Sequence, residues 1–125
     1  MHSVGKINRD IYSCITKDII TDEVIITDNQ IQHILERHPE AYKEVIDYLS
    51  EIIWEPDFIM EDKHKNTGLI IKKIKTGKEY TQIVLRICTS GDNPNYKNSI
   101  ISCWKISERR LQNYLRNKTI LYKKE

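Results

Sequence analysis

The sequence predicts an α+β domain. N-terminal amphipathic helices pack on one face of a four-stranded, or slightly larger, antiparallel sheet meander, and a short C-terminal helix follows. Three observations predict this. The chain has 125 residues with 39% apolar content, which fits one domain and leaves little room for two. Residues 39–54 carry an apolar stripe at helical spacing. After Pro56 the pattern changes to short strand-like runs separated by turn formers.

From the N-terminus, Ile11–Thr16 and Glu23–Thr27 are short and β-branched, so both read as strands. Thr27-Asp28-Asn29-Gln30 matches a capping box, and Ile31, Ile34 and Leu35 follow at helical spacing, which predicts a helix over 28–37. His38-Pro39 breaks it, because a residue before proline avoids helical dihedrals, and Pro39 suits the first position of the next helix. Ala41, Tyr42, Val45, Ile46, Leu49, Ile52 and Ile53 carry that helix to about Trp54. Strands are then expected over Asp57–Glu61, Leu69–Lys75, Glu79–Cys88 and Asn98–Ile106. Lys63–Gly68, Thr76-Gly77-Lys78 and Thr89–Lys97 form the turns between them. Ser107 caps a helix to about Asn117 with Leu111, Tyr114 and Leu115 inward, and Thr119–Lys123 reads as a last short strand.

The net charge of +2 conceals a strong asymmetry. Residues 1–62 hold five Lys/Arg against fourteen Asp/Glu, a charge of −9, whereas residues 63–125 hold fifteen against four, a charge of +11. The basic, stranded half suggests a sheet face suited to a polyanion, beside the reading of a solvated surface with segregated charges. No apolar run approaches the ~18–20 residues of a membrane span, and the first residues do not resemble a secretion signal. Cys14, Cys88 and Cys103 are an odd set without C-x-x-C, which disfavours a disulfide framework or a cysteine zinc site; Cys88 and Cys103, inside strand-like runs, read as reduced core residues of a cytosolic protein. Neither a Walker loop nor G-x-G-x-x-G is present, so no cofactor is expected.

The chemically suggestive segment is Ile31–Pro39, with His33, Arg37 and His38 at a helix end. Positions five apart lie about 140° apart around a helix, which suits one shared metal ion poorly. Acid–base work on a phosphodiester fits better, since imidazole titrates near neutrality and Arg binds phosphate in a bidentate fork. The structural alternative makes His38 a half-buried cap of the next helix, with His33 and Arg37 facing solvent. Arg86 sits in mid-strand and needs an open groove, a phosphate or an acidic partner such as the acidic helix. Lys72 and Lys73 point to opposite faces, so only one can join it. Ser102 shares a face with Ile100 and Trp104 by alternation. It serves as a hydrogen-bonded filler or a donor to phosphate, and no G-x-S-x-G elbow surrounds it.

Taken in order, these pieces resemble a family of phage- and mobile-element-associated nucleases in the barnase–EndoU–colicin–RelE-like (BECR) superfamily. The matching stretches are Thr27–Pro39, Ile53-Trp54-Glu55-Pro56-Asp57, Asn66-Thr67-Gly68-Leu69, Lys97–Trp104, Tyr114–Asn117 and Leu121-Tyr122-Lys123. The resemblance covers residues 23–124 and leaves 1–22 as an N-terminal extension of a single domain, 1–125. It implies metal-independent RNA cleavage on the sheet's open face by 2′-hydroxyl transesterification. Under it the catalytic roles fall on His33, Arg37, His38, Arg86 and Ser102, the last commonly Thr in such sequences. Lys72, Lys73, Trp104 and Lys105 are then the candidate substrate-binding residues. The implied partners are RNA and a cognate inhibitor or antitoxin protein. The competing class is a nucleic-acid-binding or protein-interaction module that uses the same basic face without cleavage.

Overall fold

The computed structural model of the protein describes residues 1–74 and 79–125. The four expected strands form the centre of a larger sheet. They are β3 (Phe58–Glu61), β4 (Thr67–Lys73), β5 (Tyr80–Arg86) and β6 (Asn98–Ile106), paired antiparallel in chain order. The sheet continues at both ends, so it has seven strands where four or slightly more were expected. β7 (Ile120–Lys123) lies antiparallel beside β3, and β2 (Glu23–Ile26) lies parallel to the start of β6. β1 (His2–Lys6) then pairs antiparallel with β2, giving the order β1-β2-β6-β5-β4-β3-β7. The expected turn at Thr76-Gly77-Lys78 lies outside the described residues.

Ile11–Thr16 is not a strand. Asn8 caps a short helix, α1 (Arg9–Tyr12), by accepting from the Asp10 amide, and a turn follows. The strand position beside β2 is taken by β1. The β-branched residues of 11–16 serve packing instead, since β propensity measures fit to a half-buried surface more than backbone preference. Ile15 lies on Gly68 of β4 so closely that an added Cβ there would come within 2.6 Å of the Ile15 Cδ1. Tyr12 is fully buried, and its hydroxyl donates to the Ile53 carbonyl at 2.6 Å.

α2 (Asp28–Arg37) begins with the reciprocal Thr27–Gln30 capping box. Pro39 starts α3 (Pro39–Val45), but the helix expected through Trp54 is broken. A 3₁₀ turn over Ile46–Tyr48 separates α3 from α4 (Leu49–Trp54). α3 contacts β6 whereas α4 contacts β1 and β4, so the bend lets one apolar stripe follow a twisted sheet. The tighter turn leaves Ile46 exposed while Val45, Leu49, Ile52 and Ile53 stay buried.

The helical face of the sheet holds the larger core, with Ile59, Ile70, Ile83, Leu85, Ile100 and Cys103 under α1–α4. On the other face α5 (Glu108–Asn117) seats Leu111 and Tyr114 against Met60, Leu69, Ile71 and Ile106. That second face is therefore only partly open. Where α5 stops, β4, β5 and β6 remain uncovered. Among the described residues no helix is long and apolar enough to cross a membrane.

Replacing Tyr12 with Phe strands a buried carbonyl, so denaturant unfolding should show a loss of about 1–3 kcal/mol. An unchanged midpoint would mean that the N-terminal segment contributes no such anchor.

Candidate active site

Two backbone irregularities bring the candidate site residues together. The first is in β6, where Leu85 pairs with Ile100 but Val84 pairs with Ser102. Ile101 is the extra residue of a β-bulge, which separates the faces of Ile100 and Ser102. Ile100 enters the helical core, while Ser102 and Trp104 turn to the opposite side with Val84 and Arg86. Strict alternation from sequence had put Ile100 with Ser102, and the bulge corrects it.

The second is the His38-Pro39 junction. His38 is at once the residue after α2 and the residue before α3, with φ −140° and ψ 58°, and its side chain makes no capping hydrogen bond. Its ring stacks on Trp104 instead, with centroids 5.5 Å apart and planes inclined by 30°. β6 pairs with β2 only through Asn98 and Ser99, so the edge beyond is free for the α2–α3 corner to lie against. Lys105 and Glu44 form an ion pair that ties β6 to α3.

The result is a cavity of about 1230 Å³ on the uncovered part of the sheet. α2 and the α2–α3 corner contribute His33, Arg37 and His38. β4 and β5 contribute Thr67, Val84 and Arg86, and β6 contributes Ile101, Ser102, Trp104 and Lys105. The β3–β4 loop adds Asp62, His64 and Lys65, and α5 adds Arg110. Five of these lining residues are Lys or Arg, while Glu40 and Asp62 are the acidic ones. His33, Arg37 and His38 from the acidic half and His64, Arg86 and Arg110 from the basic half thus share one concave surface.

Arg86 takes neither a free position nor the acidic helix as its partner. Its guanidinium donates to Asp92 at 2.9 Å and stays 41% exposed, which leaves the rest of the fork available to a ligand. Asp92 also accepts from the Thr89 amide and hydroxyl. The Thr89 amide bond, with Arg86 beside it, holds the Asp92 carboxyl below the usual carboxylate range.

Lys72 and Lys73 are not brought to the cavity. Lys72 is 9% exposed, donates to the Glu55 carbonyl at 2.7 Å and lies 3.8 Å from Asp57. The Lys73 ammonium lies over the Tyr80 ring. Buried thiols are also chemically quiet here, since burial pushes Cys103 up to about 11 and raises Cys88 as well.

Residue-by-residue reading missed the far wall of the cavity. His64 faces it on an exposed loop, with Nδ1 3.0 Å from the Asp62 carboxylate, which also accepts from the His64 amide. That pairing fixes the ring and favours the tautomer carrying the proton on Nδ1, leaving Nε2 for chemistry. The signal in the sequence was only an Asp-x-His spacing in a turn. Among the described residues, no group of three or more His, Cys, Asp or Glu is placed to hold a metal ion.

A sheet that supports imidazoles, guanidinium groups and a hydroxyl around one basic cavity is the arrangement expected of a protein that handles phosphodiesters. Residues 1–123 match the family described as phage-Barnase-EndoU-ColicinE5/D-RelE like nuclease2, and the chain belongs to that family, PBECR2. It is thus a phage-associated nuclease of the BECR type. No curated protein and no solved structure matches the chain.

The depressed Asp92 carboxyl makes a pH prediction. Its native value lies below the unfolded one, so its stabilisation is complete above the ordinary carboxylate range of about 4 and is lost as pH falls through the lowered value. Thermal melting of Asp92→Asn should therefore lose less stability than wild type between neutral and acid pH. Parallel curves would remove Asp92 from the acid response.

Proposed function

We propose that the protein is a metal-independent endoribonuclease that cleaves RNA by transesterification. The observation that carries this reading is the convergence of His33, His38 and His64 with Arg37, Arg86 and Ser102 on one cavity. In the proposed reaction a general base, His33 or His38, removes the proton of a ribose 2′-hydroxyl. The 2′-oxygen forms a bond to the adjacent phosphorus as the bond from phosphorus to the 5′-oxygen breaks. A second imidazole, entering the step as the imidazolium, gives the leaving oxygen its proton, and His64, held through Nδ1 by Asp62 with Nε2 left for the transfer, suits that role from the facing loop. The products are a 2′,3′-cyclic phosphate and a 5′-hydroxyl.

Arg37 and Arg86 stabilise the charge that builds on the phosphoryl oxygens, and the Ser102 hydroxyl donates to one of them. Guanidinium groups fill the charge-neutralising role that a metal ion plays in other nucleases, which is why the reading needs none. Trp104, held by its stack on His38, offers an aromatic face to a base, and Lys105 adds positive charge at the rim. The chain's own RNA substrate would then be met in the cytoplasm of a host cell, in a toxin-like role that calls for a cognate inhibitor protein.

Cleavage of labelled RNA should persist in EDTA. Replacing His38 or Arg86 with Ala should lower it at least ~10²-fold, in line with the worth of one acid–base group or one charge-stabilising donor. Full activity of both variants would refute the assigned site. Salt-sensitive retardation of RNA with no fragments would replace the ribonuclease reading with a binding module.

A further inference from the structure

A second hollow, of about 340 Å³, adjoins the first, and Arg86 lines both. Helix α2 runs beside the pair. Gln30 lines the second hollow, while His33 and Arg37 line the first, and these positions are three and four residues apart on one helical face. The two hollows are therefore successive parts of one trough, with α2 as a shared wall and Arg86 at the junction. Ser99, one residue before Ile100 in β6, continues the floor.

The outer wall of the second hollow is the 89–97 loop, which presents Asn95, Tyr96 and Lys97. Its backbone is pinned at many points. Asn98 accepts from the Cys88 amide and donates to the Thr21 carbonyl, Asp92 closes the turn at Thr89, and Ser90 donates to Asp18. The Tyr96 amide donates to the Asn93 carbonyl, and the Cys88 thiol donates to the Tyr96 carbonyl. Lys97 is paired with Glu23 of β2. Yet the Tyr96 residue itself is 59% exposed. A loop held this firmly that leaves most of a large aromatic residue in solvent gains little stability from the ring, but it presents a stacking surface whose ordering cost is largely met.

We propose that this second hollow is a subsite for a nucleobase flanking the scissile phosphate, with Tyr96 as its stacking platform. The phosphate linking that nucleotide to the reacting one lies at Arg86, which Asp92 holds at the junction of the two hollows. Asn95 and Gln30 offer polar groups to the base edge. This inference rests on the reading of the main cavity as a site for RNA, and it adds that recognition extends beyond one nucleotide.

The test uses a non-cleavable, fluorescently labelled 2′-O-methyl RNA hexamer, titrated by polarisation against wild type, Tyr96→Ala and Tyr96→Phe. Base–aromatic stacking predicts that Tyr96→Ala binds roughly 5- to 100-fold more weakly, while Tyr96→Phe stays within about two-fold. Because the side chain is exposed, the Ala variant should melt with wild type. Equal affinity of Tyr96→Ala and wild type, or no binding by wild type, overturns the subsite. Tyr96-dependent binding without any cleavage of ordinary RNA would leave the subsite standing and remove the ribonuclease reading.

Discussion

Strand β6 carries one residue more than β5 between Ile100 and Ser102, and the floor of the cavity depends on that residue. Side chains on a strand alternate with a period of two, so a one-residue insertion exchanges the faces of everything beyond it. Before the bulge, Asn98 and Ile100 are fully buried, with Ile100 in the helical core. After it, Cys103 returns to that core while Ser102 and Trp104 face the cavity. One strand thereby completes a hydrophobic layer and supplies a polar, aromatic floor. Deleting Ile101 would move either the core residues or the site residues to the wrong side.

The remaining parts of the site follow from that floor. The Trp104 ring gives His38 a surface to stack on, and the dihedral restriction before Pro39 places His38 at the corner where α2 ends. The Lys105–Glu44 pair holds the same corner from the helical side. Arg86 is steadied by Asp92 rather than buried unpaired, and its guanidinium sits where the two hollows meet. The acidic and basic halves of the chain are thus joined at one cleft, and the positive lining of that cleft is richer than the net charge of +2 conveys.

Local signals made much of this legible in the sequence. The Thr27–Gln30 capping box and the Ser107 cap mark helix starts through short-range hydrogen bonds, and both helices have the expected bounds. β6 also spans Asn98–Ile106 as its pattern indicates. Other features depend on tertiary partners and left no local trace. β1 becomes a strand only because β2 offers it an edge, and residues 11–16 lose strand character because that edge is taken. The break at Ile46–Tyr48 reflects sheet twist beneath a stripe that reads as continuous. The bulge at Ile101 is invisible to periodicity. Within the site, His33, Arg37, His38, Arg86 and Ser102 do line one cavity, whereas His64 comes from a loop whose direction sequence does not specify. Lys72 and Lys73 carry a suitable charge, but burial and local partners hold them elsewhere.

The family membership supplies nuclease character, and the cavity gathers the groups on which the proposed transesterification rests. Transesterification through imidazoles and guanidinium groups leaves a product that metal-assisted hydrolysis at the same phosphate does not. The most direct measurement is therefore ³¹P NMR of the ends formed when the purified protein cleaves a short RNA. A 2′,3′-cyclic phosphate resonance, paired with 5′-hydroxyl ends, is the expected result. Fragments bearing 5′-phosphates, or equal cleavage of the all-deoxy strand, would contradict the account.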